Sequence, residues 1–313
     1  MSSEEAQGLN IGVIGLGVMG QRMLARLAGH PRLRPSWVWD ADAAALARTL
    51  QAWPQLRAAD SAAALIGAPG LHSLYIATPP GPHIELSEQA FDAGLAVFCE
   101  KPLTVDFDAA RRCIARIEAE GLRAAVNFAL ASSKGLALLL QQPREDWRAV
   151  ELEVAFAAWP RPWQAAAGAW LSERSEGGFT REVLSHFIFV LQRVLGPAKL
   201  RSSAASYPDD GRGAETALRA ELDAVGVTVH INGRIGGELP DRNRMLWRGK
   251  DAEIELGQWF SEIEQRGRES QARPPIVDQL DQWVALIEGR PHNLPGYAEA
   301  LAVQETIEAL LRG

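Results

Sequence analysis

Apolar and polar positions follow two different rhythms along this chain of 313 residues, and the change falls near residue 145. Before it, short apolar runs alternate with stretches whose apolar residues recur three and four apart. This predicts strands at 10–15, 35–40, 71–77, 95–99 and 122–128, and helices near 18–29, 41–51, 60–67, 83–93 and 105–120. Continuous apolar strands separated by helices imply a doubly wound parallel sheet covered on both faces. Beyond residue 145 strict alternation takes over, as in Val150, Leu152, Val154 and Phe156. Strands are predicted at 148–158, 198–207, 214–223, 225–234, 243–248 and 251–256. A helix is predicted at 180–195, ended by Gly196-Pro197. The polar stretch 261–275 reads as loop, and helices at 275–289 and 297–311 follow. The expected architecture is an α/β domain over 1–130 and an α+β domain over 131–313. The second has an open, mostly antiparallel sheet with helices on one face, and the C-terminal helices are free to pack back on the first domain.

Composition narrows the function classes. At 47% hydrophobic the chain can bury sizeable cores, and a net charge of −7 with scattered basic residues points away from nucleic acid. Cys99 and Cys113 are too few for a disulfide framework or a structural zinc site. No metal site is evident, since His30, His72, His230 and His292 have no readable partner spacing. Residues 1–10 are polar and acidic without an apolar core, and no run approaches the roughly 18 residues of a membrane span, so a cytoplasmic protein is expected.

Candidate chemistry begins at Ile11–Ile14, an apolar run that flows into Gly15-x-Gly17-x-x-Gly20 and then a helical pattern. A strand, three glycines at this spacing and a helix make a dinucleotide site. Gly15 permits the tight turn, Gly17 lets backbone approach a pyrophosphate, and Gly20 lets the helix pack closely. The first-turn N–H groups, at Val18 and Met19, then face the phosphates. Asp40, which ends the second strand, suits the two hydroxyls of an adenosine ribose and repels a 2′-phosphate, so NAD is favoured over NADP. The plainer role for an acid here is a helix N-cap, which Asp42 fills better. Arg48 stands close enough in sequence to reach a 2′-phosphate.

Two more strand ends are chemically loaded. Thr78-Pro79-Pro80-Gly81-Pro82-His83 is a proline-stiffened loop that can wall a nicotinamide or ribose, or serve as an ordinary turn with His83 near a helix start. Glu100-Lys101-Pro102 directly follows a buried strand. The chain has 28 arginines and only 4 lysines, so a lysine here hints that a compact ammonium is needed. It can donate to a carbonyl or alcohol oxygen; the plain alternative is a surface lysine.

In combination, Gly15-x-Gly17-x-x-Gly20, Ala77-Thr78-Pro79-Pro80 and Glu100-Lys101-Pro102 resemble the glucose–fructose oxidoreductase / inositol dehydrogenase / MocA family. The resemblance runs in order over 10–130 and continues more weakly beyond. It implies a Rossmann domain followed by an α+β domain with an open sheet. It also implies hydride transfer between a nicotinamide and a sugar, cyclitol or related hydroxyl, and a cis Lys101–Pro102 peptide. Gly15, Gly17, Val18, Met19, Gly20, Asp40, Thr78, Pro79, Pro80, His83, Glu100 and Lys101 are then the expected cofactor residues.

The family's second-domain motif is a Gly-Gly pair followed by Asp-x-Gly-x-His and a further Asp. Here Gly177-Gly178 is followed by Glu182, Leu184, His186 and Phe189. Lys101 and His186 are the expected acid and base, with Glu182 orienting the imidazole from four residues away on one helix face. Glu182 in place of Asp, Leu184 in place of Gly and Phe189 in place of the second Asp are departures. So is Asn127-Phe128-Ala129, where many members carry Asn-x-Arg. Loss of that arginine and of the second Asp makes the expected pocket less polar. Phe156, Trp159, Trp163 and Trp170 are available to stack on a ring or to pack a core or subunit interface. A homodimer or tetramer through the open sheet is expected, because the alternating apolar residues near 214–223 suggest a face that needs a partner. Two competing readings stay open. One is a β-hydroxyacid dehydrogenase, which requires an all-helical second domain. The other is a dinucleotide-binding regulator of the same fold without turnover.

Overall fold

The computed structural model describes residues 8–237, 241–267 and 278–313, with only the backbone of 165–167. The chain divides into two compact units, 1–128 with 277–301 and 129–276 with 302–313. The first opens with β1 (Leu9–Ile14), α1 (Val18–Ala28), β2 (Leu33–Trp39) and α2 (Ala43–Ala52). It continues through β3 (Arg57–Ala58), α3 (Ala62–Ile66), β4 (Ser73–Ile76) and α4 (His83–Asp92). Then follow β5 (Ala96–Glu100), α5 (Phe107–Glu120) and β6 (Ala124–Asn127). The second unit contains α6 (Lys134–Leu139), β7 (Trp147–Phe156), α7 (Ser185–Leu195), β8 (Lys199–Ser206) and β9 (Ala217–Ala224). It also contains β10 (Val227–Ile235), β11 (Arg242–Gly249), β12 (Ala252–Gly257) and β13 (Glu262–Gly267). Helix α8 (Gln279–Ile287) returns to the first unit, and α9 (Tyr297–Arg312) contributes residues to both.

The first sheet has the order β3-β2-β1-β4-β5-β6, with every pair parallel. Strand order reverses between β1 and β4, which opens a crevice at the carboxyl ends of those strands where ligands bind such sheets. Local signals fix the helices. The carboxylates of Asp42 and Asp106 and the Ser61 hydroxyl accept first-turn N–H groups of α2, α5 and α3. Gly121, at φ 63°, closes α5. Ile11, Val13, Tyr75 and Phe98 are fully buried with Trp283 of α8. The Trp283 ring lies 5.0 Å from Phe98 and 5.8 Å from Tyr75, and its indole N–H donates to Ser73 Oγ at 3.0 Å. That bond lets a bulky indole be buried without an orphaned donor; truncating such a side chain to alanine costs about 3–5 kcal/mol.

The second sheet has the order β13-β12-β11-β7-β10-β9-β8. Only β7 and β10 pair in parallel; the other neighbours are antiparallel. Two expectations are corrected here. The stretch read as loop from residue 261 contains β13 over Glu262–Gly267, while 268–275 lies outside the described residues. β13 is an exposed edge strand, so it lacks the apolar alternation that marks a half-buried one. The alternating apolar residues of β9 also do not form an uncovered face. Leu218, Ala220, Leu222 and Ala224 all point to the buried side. The opposite face carries ion pairs. Arg248 pairs with Glu151 at 2.5 Å, Arg244 binds Glu255 through two bonds at 2.6 and 2.8 Å, and Arg201 pairs with Asp223 at 2.5 Å.

Candidate active site

The glycine turn between β1 and α1 sits at the switch point. Gly15 has φ 93°, and a Cβ there would lie 2.4 Å from the Ala77 backbone. A Cβ on Gly20 would lie 2.0 Å from the Gly15 carbonyl oxygen, so close packing of the turn requires glycine at both positions. Gly17 differs, because a Cβ there would meet no neighbouring atom within 4 Å. Its backbone borders open space, as a phosphate-binding turn requires. Gly17 is the N-cap of α1, so the N–H groups of Val18, Met19 and Gly20 begin the helix there.

Asp40 stands beside this turn. One carboxylate oxygen accepts the Leu16 N–H at 2.6 Å and the other accepts the Asp42 N–H at 2.8 Å. Each oxygen keeps a further lone pair for a hydroxyl. Asp42 is the N-cap of α2, and Arg48 lies 3.7 Å from the Asp42 carboxylate. Across the crevice, at the end of β4, Thr78 Oγ1 is buried with no hydrogen-bond partner among the described residues. A buried hydroxyl left unsatisfied is unfavourable, and a ligand with its own hydroxyl or amide answers it. The open space at Gly17, the acid at Asp40 and the orphaned Thr78 hydroxyl fit a dinucleotide.

Two expected cofactor residues turn out to support the site from behind. His83 is completely buried, and its ring nitrogens lie 2.9 Å from the carbonyl oxygens of Thr78 and Pro102. It ties the 78–83 loop to the Lys101–Pro102 turn instead of facing a ligand. Burial pushes its pKa below the ordinary 6.5, outweighing the carbonyl contacts that raise it. Glu100 is likewise buried. It accepts from the Tyr75 hydroxyl and, at 2.7 Å, from the Asn127 amide. Asn127 in turn accepts from Gln279 of α8 at 2.7 Å, and Arg26 of α1 donates to Gln279 at 2.7 Å. Desolvation raises the Glu100 carboxyl above its usual range, opposed by the Tyr75 and Asn127 bonds and the nearby Lys101 charge. A polar line thus runs from α1 through α8, β6 and β5 to the residue preceding Lys101. The Lys101–Pro102 peptide is cis, as the resemblance implied.

In the second unit the expected helix over 180–195 is a π-helical turn, Thr180–Leu184, continued by α7. Glu182 lies in the wide turn and His186 in the first turn of α7. π-helical turns of this kind recur at functional sites. Gly177-Gly178 has a steric reason. Gly178 has φ 100°, and a Cβ on it would lie 2.2 Å from Glu215 Oε2. Glu215, 1% exposed, accepts the Thr180 N–H at 2.7 Å and so caps the segment that carries Glu182 and His186. Its burial raises its pKa, against the Thr180 bonds that lower it. Arg181 anchors the same segment to α9 by two bonds to Glu308, at 2.5 and 2.9 Å. Leu184 and Phe189 are core residues, so the two departures fill space.

His186 is buried, and its ring meets Trp259 edge to face at 5.4 Å. Phe156, Trp159, Trp163 and Trp259 surround the buried Arg161 guanidinium, with Cζ 4.6–5.9 Å from the ring centroids. Of the aromatics foreseen as a cluster, Phe156, Trp159, Trp163 and Trp170, the first three are therefore organised on an arginine. Gln164 fixes that arginine by accepting its Nε–H at 2.9 Å. Glu215 and Trp259 escaped the sequence reading because each meets its partners through tertiary contact, with no local spacing to mark it. Among the described residues no cluster of three His, Cys, Asp or Glu can hold a metal ion. None of their helices is long and apolar enough to cross a membrane.

Comparison with known proteins agrees with this geometry. Residues 9–128 match the model of GFO_IDH_MocA, described as an oxidoreductase family with an NAD-binding Rossmann fold. Inositol 2-dehydrogenase of Rhizobium meliloti is 23% identical over 329 residues, covering 97% of this chain and 96% of that protein. Inositol 2-dehydrogenase of Gluconacetobacter diazotrophicus is 35% identical over 119 residues, but that match covers 37% of this chain and 34% of the relative. The structure of the WlbA dehydrogenase of Bordetella pertussis, solved with NADH and UDP-GlcNAcA, shares the fold. It superposes with a TM-score of 0.83 at 19% identity, covering 98% of this chain and 97% of that one. With the glycine turn, the Thr-Pro-Pro loop and the Glu-Lys-Pro turn in place over the matched residues, residues 9–128 are similar to the NAD-binding Rossmann domain of the GFO_IDH_MocA oxidoreductase family.

Proposed function

We propose that this protein is an NAD-dependent dehydrogenase that moves a hydride between the nicotinamide and a carbinol or carbonyl carbon of a cyclitol, sugar or related small molecule. The observation that carries this reading is the cradle at the first sheet's switch point: the Gly15–Gly20 turn, Asp40 and the orphaned Thr78 hydroxyl. Gly15, Gly17, Val18, Met19, Gly20, Asp40, Thr78, Pro79 and Pro80 would hold NAD, which supplies the hydride acceptor or donor when bound. Asp40 supports NAD over NADP, since a carboxylate suits ribose hydroxyls and repels a phosphate.

Lys101 donates a hydrogen bond to the substrate oxygen and stabilises negative charge that develops there. His186 takes the hydroxyl proton, and Glu182 orients its imidazole. The full-length similarity to an inositol 2-dehydrogenase supports a ring-shaped polyol as substrate. The test is turnover across a panel of cyclitols, sugars and polyols, followed by the near-ultraviolet absorbance of NADH. Lys101→Ala and His186→Ala should each lower kcat by about 10²–10⁴ while NAD affinity survives. Near-full turnover in either variant would remove that residue from the mechanism. NADH binding without turnover of any panel member would favour a dinucleotide-binding regulator.

The protein is further proposed to work in the cytoplasm as a homo-oligomer joined through the open face of the second sheet. Cys99 and Cys113, both buried free thiols, support a reducing compartment. Rows of opposite charges on that face support a self-complementary contact, and light scattering at low and high salt tests it. A monomer at both would refute it.

A further inference from the structure

The connection between β12 and β13 breaks the local rules of a hairpin. Gln258, Trp259 and Phe260 have φ 45°, 57° and 64°, three consecutive left-handed residues and none of them glycine. Hairpin turns normally place Gly or Asn at such positions, and strained backbone persists only where the surroundings over-determine it. Here the surroundings are specific. The Trp259 N–H donates to Oδ1 of the buried Asn243 on β11 at 2.6 Å. Phe260 is buried 5.8 Å from Phe187, and Gly135 makes room for it, since a Cβ there would lie 2.8 Å from its ring. These contacts aim the Trp259 indole at α7. It lies edge to face with His186 at 5.4 Å and 5.6 Å from Phe187, with the Arg161 guanidinium 5.9 Å from its centroid.

An imidazole turns about a broad two-fold torsion, so a histidine that must present one nitrogen to a substrate needs neighbours to set its plane. We propose that Trp259 is a positioning residue for His186, held in its left-handed turn by Asn243 so that its indole fixes the plane of the imidazole. This rests on the reading of His186 as the base. The strained turn therefore serves the site, because it sets the indole edge to face with the imidazole.

The test uses the full chain, labelled with ¹³C-histidine, in wild type and in Trp259→Leu, Trp259→Phe, Asn243→Ala and Asn243→Asp. The His186 ring resonances are assigned by their loss in His186→Gln, and thermal melting confirms that each variant folds. Trp259→Leu and Asn243→Ala should both shift or broaden the His186 resonances. Trp259→Phe keeps an aromatic wall and Asn243→Asp keeps the acceptor, so both should stay near wild type. On the best substrate of the panel, Trp259→Leu and Asn243→Ala should lower kcat about 10- to 100-fold while KM for NAD stays within about twofold. Unmoved His186 resonances in Trp259→Leu and Asn243→Ala would overturn the proposal, with or without a known substrate. So would a loss of activity that Trp259→Phe fails to recover, or one confined to KM. Full turnover in His186→Gln is a different failure, that of His186 as the base.

Discussion

Thr78→Val separates the stability of the site from its function. Thr78 Oγ1 is enclosed and makes no hydrogen bond among the described residues, which leaves an unsatisfied hydroxyl at the end of β4. Valine has nearly the same shape and the same β-branched stiffness. It also keeps the backbone carbonyl that lies 2.9 Å from His83 Nε2. An unmatched buried polar group costs about 1–3 kcal/mol. Recovering about 1–2 kcal/mol of this should raise the melting temperature of the ligand-free protein by about 2–8 °C. The same change removes the hydroxyl proposed to meet the dinucleotide. A neutral hydrogen bond contributes about 0.5–1.5 kcal/mol net, so NAD should bind about 2- to 10-fold more weakly. The assay is scanning fluorimetry with and without NAD, together with titration calorimetry. The variant should melt higher than wild type alone and gain less from saturating NAD. A lower melting temperature with unchanged NAD affinity would refute the reasoning on both counts.

Two further outcomes follow from the same unit. Asp40→Ala should narrow the preference for NAD over NADP, and calorimetry with both cofactors checks it; an unchanged ratio would assign that choice elsewhere. The His83 pKa lies below 6.5 in the folded protein, so just below pH 6.5 the unfolded ring binds a proton that the folded ring does not. Stability should therefore fall as pH drops from about 6.5 toward the folded pKa, by at most about 1.4 kcal/mol per pH unit from this group, and level off below it. Urea midpoints across pH 5–7 (roughly) should show that slope, and His83→Gln should flatten it.

The sequence by itself determined the parts of this protein whose signals are local. Apolar runs, glycine spacing and capping residues laid out β1, the glycine turn and α1. They also placed the Thr78-Pro79-Pro80 and Glu100-Lys101-Pro102 loops at the ends of buried strands. Such signals survive because periodicity, turn conformation and caps are settled within a few residues. Tertiary structure alone decided which groups stand behind those loops. His83 and Glu100 stand at strand ends as ligand residues would, yet both turn inward, because the Thr78 and Pro102 carbonyls satisfy His83 and the Asn127 amide satisfies Glu100. Glu215 caps a segment that begins 35 residues before it, and no spacing announces that pairing. β13 stayed hidden because an exposed edge strand has no buried face to imprint on its sequence. The Gln258–Phe260 turn was invisible for the opposite reason. Its residues contradict their local conformation, and Asn243, Phe187 and Gly135, brought together by the fold, hold it in place.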